Sequence, residues 1–157
     1  LKKTLIPERI IFPAIYLSLG LGVLFAAEGA LLNFVKYKGF NFLDLSLSTG
    51  LLVRAFGLSL LTAISEEVTF RGYIFSRFRS QLKSEWLANF MVSFGWTLIH
   101  IPITIFVWNY TPVQILGYLI LVFIFGIGSS FVFSRTGNIA SSILLHFFWE
   151  WPIILFR

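Results

Sequence analysis

Long apolar stretches, separated by short polar clusters, set the pattern of this chain. Five of them approach the roughly 20 residues a helix needs to cross the hydrocarbon core of a bilayer. They run from about Ile10 to Val35, Leu51 to Phe75, Trp86 to Val107, Val113 to Phe133 and Ile139 to Phe156. The pattern predicts an all-α fold, a polytopic transmembrane helix bundle with about five spans, making a single membrane domain over residues 1–157. Gly39 to Gly50, with Asn41 and Asp44, is too polar to span and is expected as an interfacial loop or short surface helix. Asp44 or Ser48 could cap a helix start there. Leu1-Lys2-Lys3 resembles a signal n-region only weakly, and the apolar run after it is too long for an h-region, so it reads as a retained span. The chain begins with Leu rather than Met, and an N-terminal portion is expected to precede it.

Composition strengthens this picture. The chain is 57% hydrophobic and only 12% charged, with a mean hydropathy of +0.87. A soluble domain of this length could not bury so much apolar surface, so the bilayer must act as solvent. Cysteine is absent, which excludes disulfides and thiolate metal sites. The formal charge of +5 does not point to nucleic acid, because Lys and Arg cluster in short loops between spans. Seven of these residues (Lys2, Lys3, Arg9, Arg77, Arg79, Lys83, Arg135) fall on one side and three (Lys36, Lys38, Arg157) on the other. The positive-inside rule then puts the N-terminus in the cytoplasm, in an integral protein of the cell membrane whose first partners are lipids.

The candidate chemistry is the set of ionisable groups inside the spans. A charge in hydrocarbon costs several kcal/mol unless it is paired or used. Glu66 and Glu67 are adjacent, so they point about 100° apart on a helix and cannot share one task. Glu67 and Arg71 are at i,i+4 and can pair, which leaves Glu66 free to face a cavity as a general base. His100 stands before Ile101-Pro102, where the helix is expected to be distorted. His146 and Glu150 are at i,i+4 on the last span. Helical rise puts Glu66 roughly 15 Å, His100 roughly 20 Å and His146 roughly 12 Å in from the same side, so the three can meet in one layer. Glu28 falls nearer the other side, where packing or the interface accounts for it. The many Phe and Trp residues read as lipid-facing or interfacial belts, and Gly117, Gly126 and Gly128 as close helix contacts.

These residues resemble a known family. Glu66-Glu67-Val68-Thr69-Phe70-Arg71 fits the EExxxR motif of the CAAX protease and bacteriocin-processing family of intramembrane glutamic proteases. That family includes type II CAAX prenyl endopeptidases and bacteriocin self-immunity proteins. Its FxxxH motif is similar to Trp96-Thr97-Leu98-Ile99-His100, and its HxxxN or HxxxD motif to His146-Phe147-Phe148-Trp149-Glu150. Ser134-Arg135-Thr136-Gly137-Asn138 resembles the turn before that last helix. The resemblance covers residues 51–151. It implies an intramembrane endopeptidase in which Glu66 activates water and His100 helps to hold it. Glu67 and Arg71 would support, and His146 with residue 150 would form an oxyanion site. It implies a peptide or lipidated-peptide substrate, with no cofactor and no metal.

The departures from the motifs leave alternatives open. Trp96 for Phe is an aromatic exchange. Glu150 for Asn replaces an amide donor by a carboxylate, which donates only when protonated. Either Glu150 is neutral or catalysis is impaired. A non-catalytic membrane subunit or scaffold, associated with other membrane chains, is therefore one alternative. A zinc-dependent hydrolase using His100, His146 and Glu150 or Glu66 is another, though HExxH is absent.

Overall fold

The computed structural model describes residues 15–24, 27 and 49–155, the last four as backbone only. All regular structure among these residues is helical. Helix α1 is Ile15–Leu24. Helix α2, Thr49–Glu67, runs without a break into a π-helical segment, Val68–Phe75, and then into α3, Ser76–Leu82. Helix α4 is Glu85–Ile99 and α5 is Ile101–Phe106; α6 is Pro112–Thr136 and α7 is Ile139–Leu155. The result is the predicted helical bundle. The greater part of the predicted first span, Glu28 and the polar stretch up to Ser48 lie outside the described residues.

Local chemistry sets the helix ends. Ser84 Oγ accepts the Leu87 N–H and starts α4. Thr111 and Gln114 form a capping box ahead of α6, with Pro112 in its first turn. Gly137, at φ 62°, closes α6 by donating its N–H to Phe133 O at 2.8 Å. Asn138 Oδ1 then accepts the Ala140 N–H at 3.0 Å and opens α7. Pro102 cannot donate to the carbonyl four residues back, and the path breaks at His100 between α4 and α5.

Two pairs of helices make the bundle. Helix α2 packs along α7, α4 packs along α6, and α6 against α7 joins the pairs. Trp96, Val122, Phe125, Val132, Leu145 and Trp149 form the larger apolar cluster between them. Phe75, Ala88, Val92, Phe133 and Ile139 form a second. At Gly126 helix α6 lies tight against α4, since a Cβ there would lie 3.0 Å from Ser93 Cβ. Gly117 bears no such contact: a Cβ added there meets nothing within 4 Å.

The distribution of polarity is that of a membrane protein. Ser59, Glu67, Arg71, Asn89, Ser93, Ser129, Ser130, Ser142 and His146 are buried, while Val53, Leu61, Trp86, Phe106, Val113 and Leu116 face outward. In water this would be inverted; in lipid it places polar groups where partners are and apolar groups against acyl chains. Glu85–Phe106 and Pro112–Thr136 are each long and apolar enough to cross a membrane. Thr49–Glu67 carries Arg54, Glu66 and Glu67, and Ile139–Leu155 has 17 residues. Helix α2 also outruns the predicted second span, because the helical path continues through Ser76–Leu82. That extension ends beside α4, where Glu85 meets Arg79 at 3.4 Å and Arg135 at 2.6 Å. One end of the bundle therefore collects the basic residues of two separate turns.

Candidate active site

The first motif straddles the junction of α2 and the π-helical segment, with Glu66 and Glu67 on α2 and Arg71 in the π-helical part. Thr69 Oγ1 donates to Ser65 O at 2.7 Å, and Ser76 Oγ donates to Arg71 O at 3.3 Å. Such hydroxyls compete with the helical ladder and widen it. Glu67, Arg71 and Phe75 repeat every four residues, and all are fully buried. They continue the buried series Ala55, Ser59 and Ala63 along α2, so one face of the rod lies against the bundle throughout.

Glu67 is saturated with donors. Its Oε1 lies 3.1 Å from Arg71 Nη1 and 2.8 Å from His146 Nδ1, and its Oε2 accepts from Ser129 Oγ at 2.7 Å. The i,i+4 pair with Arg71 anticipated from spacing is present. Arg71 also donates from Nη2 to Gly126 O at 3.2 Å, and its guanidinium carbon sits 4.7 Å from the Trp96 ring centroid. Helices α6 and α7 and the α2–π rod are thus tied together by one carboxylate and one guanidinium.

Glu66 is placed differently. It is only partly buried, and its Oε2 accepts the indole N–H of Trp96 at 2.7 Å. The two adjacent carboxylates therefore point to separate surroundings, as their 100° offset requires. His100 Nδ1 lies 2.8 Å from Trp96 O. A carbonyl only accepts, so Nδ1 carries a proton, and in the neutral form of the ring Nε2 keeps its lone pair. His146 is constrained in the same way, with a carboxylate in place of the carbonyl. Its Nδ1 donates to the ion-paired Glu67, and its Nε2 lies 4.0 Å from Glu150 Oε2.

Trp96 touches four of these groups, Glu66, Arg71, His100 and His146, and Glu67 and Glu150 join them through His146. The Trp96 ring centroid is 4.6 Å from that of His100 and 5.7 Å from that of His146. Glu66, Glu67, Arg71, His100, His146 and Glu150, the candidates named from sequence, thus form one neighbourhood around a buried indole. Four of its contacts do not follow from sequence spacing: the Trp96 N–H on Glu66, the Ser129 hydroxyl and His146 Nδ1 on Glu67, and the Gly126 carbonyl on Arg71. Paired serines and a glycine within an apolar span are a signal of helix contact, though not of the partner. Among the described residues, no group of three or more His, Asp or Glu side chains is arranged to hold a metal ion.

A family model, type II CAAX prenyl endopeptidase Rce1-like, matches residues 48–152. No curated protein and no solved structure matches the chain. The matched stretch contains all three motif segments and the helices that carry them, from α2 to α7. Polarity inside the bundle, apolar surface outside it and two membrane-length helices make it an integral membrane protein. This chain belongs to the type II CAAX prenyl endopeptidase Rce1-like family, whose members are membrane endopeptidases.

Proposed function

We propose that this protein hydrolyses a peptide bond of a lipid-modified peptide through a water activated by Glu66 and His100. The observation that carries the reading is the division between the two carboxylates. Glu67 is fully buried and bonded to Arg71, His146 and Ser129, so it is committed to structure. Glu66 is partly buried and held at one oxygen only, among the described residues. Its Oε1 is the group able to take a proton from water.

In the proposed step, Glu66 Oε1 receives one water proton as the water oxygen attacks the scissile carbonyl carbon. His100 Nε2 accepts the second water hydrogen in a hydrogen bond and so fixes the nucleophile's direction. The carbonyl π pair moves onto oxygen. Collapse of that intermediate re-forms the carbonyl and breaks the C–N bond, and Glu66 returns its proton to the leaving amine. The helix break at His100 supports this, since it ends α4 with the imidazole beside Glu66's indole partner. His146, through Nε2, is the nearest candidate donor to the oxyanion. Because its Nδ1 proton serves Glu67, that role requires a second proton on the ring, compensated by Glu67 and Glu150 on either side. The basic end with Arg77, Arg79, Lys83 and Arg135 faces the cytoplasm in this reading.

A second reading, a non-catalytic membrane subunit, draws support from one feature. Glu150 is a carboxylate where the resembling motif has an amide. The experiment that separates them is hydrolysis of an internally quenched peptide ending in a prenylated CAAX sequence, with the protein in lipid nanodiscs. Wild type should cleave, and Glu66→Gln should lose roughly 100-fold or more, as expected for removal of a general base. Wild-type rates in Glu66→Gln would exclude the assignment. No turnover by wild type, with the protein folded, would favour the subunit.

A further inference from the structure

We propose that Trp96 is a positioning residue for Glu66, fixing one carboxylate oxygen so that the other is aimed at the attacking water. The inference rests on Glu66 being the base, but on a separate observation. Trp96 is fully buried, and its indole N–H donates to Glu66 Oε2 at 2.7 Å. A buried indole N–H needs an acceptor. Here the acceptor is a carboxylate, so the bond is charge-assisted and short.

The indole is itself immobilised. Its ring packs between Phe125, at 5.6 Å, and the Arg71 guanidinium, at 4.7 Å. Trp149 and His146 close the remaining sides, at 6.3 Å and 5.7 Å. The same residue offers its carbonyl to His100 Nδ1 at 2.8 Å. One residue on α4 therefore orients both proposed water ligands, Glu66 through its side chain and His100 through its main chain. A phenylalanine at this position would keep the ring and the carbonyl but lose the N–H. Glu66 would then be free to rotate about its side-chain torsions, and fewer of its conformers would present Oε1 to the water.

The test uses the full chain in nanodiscs, labelled with 15N at the indoles. The sequence has five tryptophans, and Trp96→Phe identifies the Trp96 indole signal as the one it removes. Glu66→Ala should move that signal upfield in the proton dimension. Kinetics on the quenched prenylated peptide complete the test. Trp96→Phe should lower kcat roughly 10- to 100-fold, the equivalent of one hydrogen bond to a charged group, with KM within about twofold. If none of the indole signals moves in Glu66→Ala, the proposal is overturned, and that outcome needs no assignment should Trp96→Phe not fold. An inactive Glu66→Gln beside a wild-type kcat in Trp96→Phe would overturn positioning alone. Wild-type activity in Glu66→Gln would remove the base, and the proposal with it. A rise in KM at unchanged kcat would show that the ring serves substrate binding instead, which also overturns it.

Discussion

Replacing Arg71 by methionine keeps most of the aliphatic length and removes the charge. The consequence is set by burial rather than by distance. Arg71 and Glu67 are both 0% exposed, at an N–O separation of 3.1 Å. Arg135 and Glu85 approach more closely, at 2.6 Å, but are 49% and 20% exposed. Solvent screens the second pair, so Arg135→Met should cost below about 1 kcal/mol. Nothing screens the first. Arg71→Met strands a buried carboxylate with only Ser129 and His146 as donors, and leaves Gly126 O without its guanidinium. Breaking one side of a buried pair costs about 3–5 kcal/mol. The lost cation–π contact with Trp96 is included in that range.

The double variant Arg71→Met, Glu67→Met sharpens the test. It removes the stranded charge together with the partner, so its cost should fall short of the sum of the single changes. What persists is the loss of acceptors for His146 and Ser129, about 1–3 kcal/mol for each unsatisfied group. Reversible unfolding in mixed detergent and SDS gives all the required midpoints. A cost for Arg71→Met no larger than that for Arg135→Met would refute the reasoning. So would single and double variants that add within about 0.5 kcal/mol, the behaviour of independent sites.

Two further expectations follow from particular contacts. Gly126→Ala should destabilise the bundle by about 1–3 kcal/mol, because its Cβ would meet Ser93 Cβ at 3.0 Å and Cα at 3.3 Å, whereas Gly117→Ala should be neutral or better; equal midpoints for the two in SDS titration would contradict this. Glu150→Asn should keep or raise peptidase activity, since an amide can accept from His146 Nε2, 4.0 Å away in the wild type, and donate to an oxyanion; a loss as large as that of Glu66→Gln would mean the carboxylate itself is required.

The helices were legible because in a bilayer their lengths are imposed from outside. Spans predicted at about Trp86–Val107, Val113–Phe133 and Ile139–Phe156 appear as Glu85–Phe106, Pro112–Thr136 and Ile139–Leu155. The second span ran on through Leu82 because its apolar pattern fades gradually. Phe78 and Leu82 continue the helix after the basic residues begin, and Phe78 packs on the second apolar cluster. The π-helical turn had no compositional mark beyond Thr69, Gly72 and Ser76, residues that sit equally well in ordinary helices. The break at His100 was legible, since Pro102 removes a donor wherever it stands in a helix.

Pairs within one helix could be read from spacing, and pairs between helices could not. The i,i+4 rule gives Glu67–Arg71 directly. It also gives His146–Glu150, yet the tighter partner of His146 is Glu67, 79 positions away, at 2.8 Å against 4.0 Å. Spacing fixes which residues share a face, while the packing of α2, α6 and α7 decides which faces meet. The Trp96–Glu66 pair is of the second kind. As a ring, Trp96 stands in for the phenylalanine of the resembling motif. As an indole, it carries a donor into an apolar span, where an unbonded N–H is costly. Helical rise puts Glu66 and His100 in one layer, and Trp96 lies one turn before His100. A buried donor and a carboxylate at matching depth on neighbouring helices have reason to bond, and in the structure they do so at 2.7 Å. The exchange of Phe for Trp therefore changes the chemistry around Glu66, the proposed base, as well as the ring.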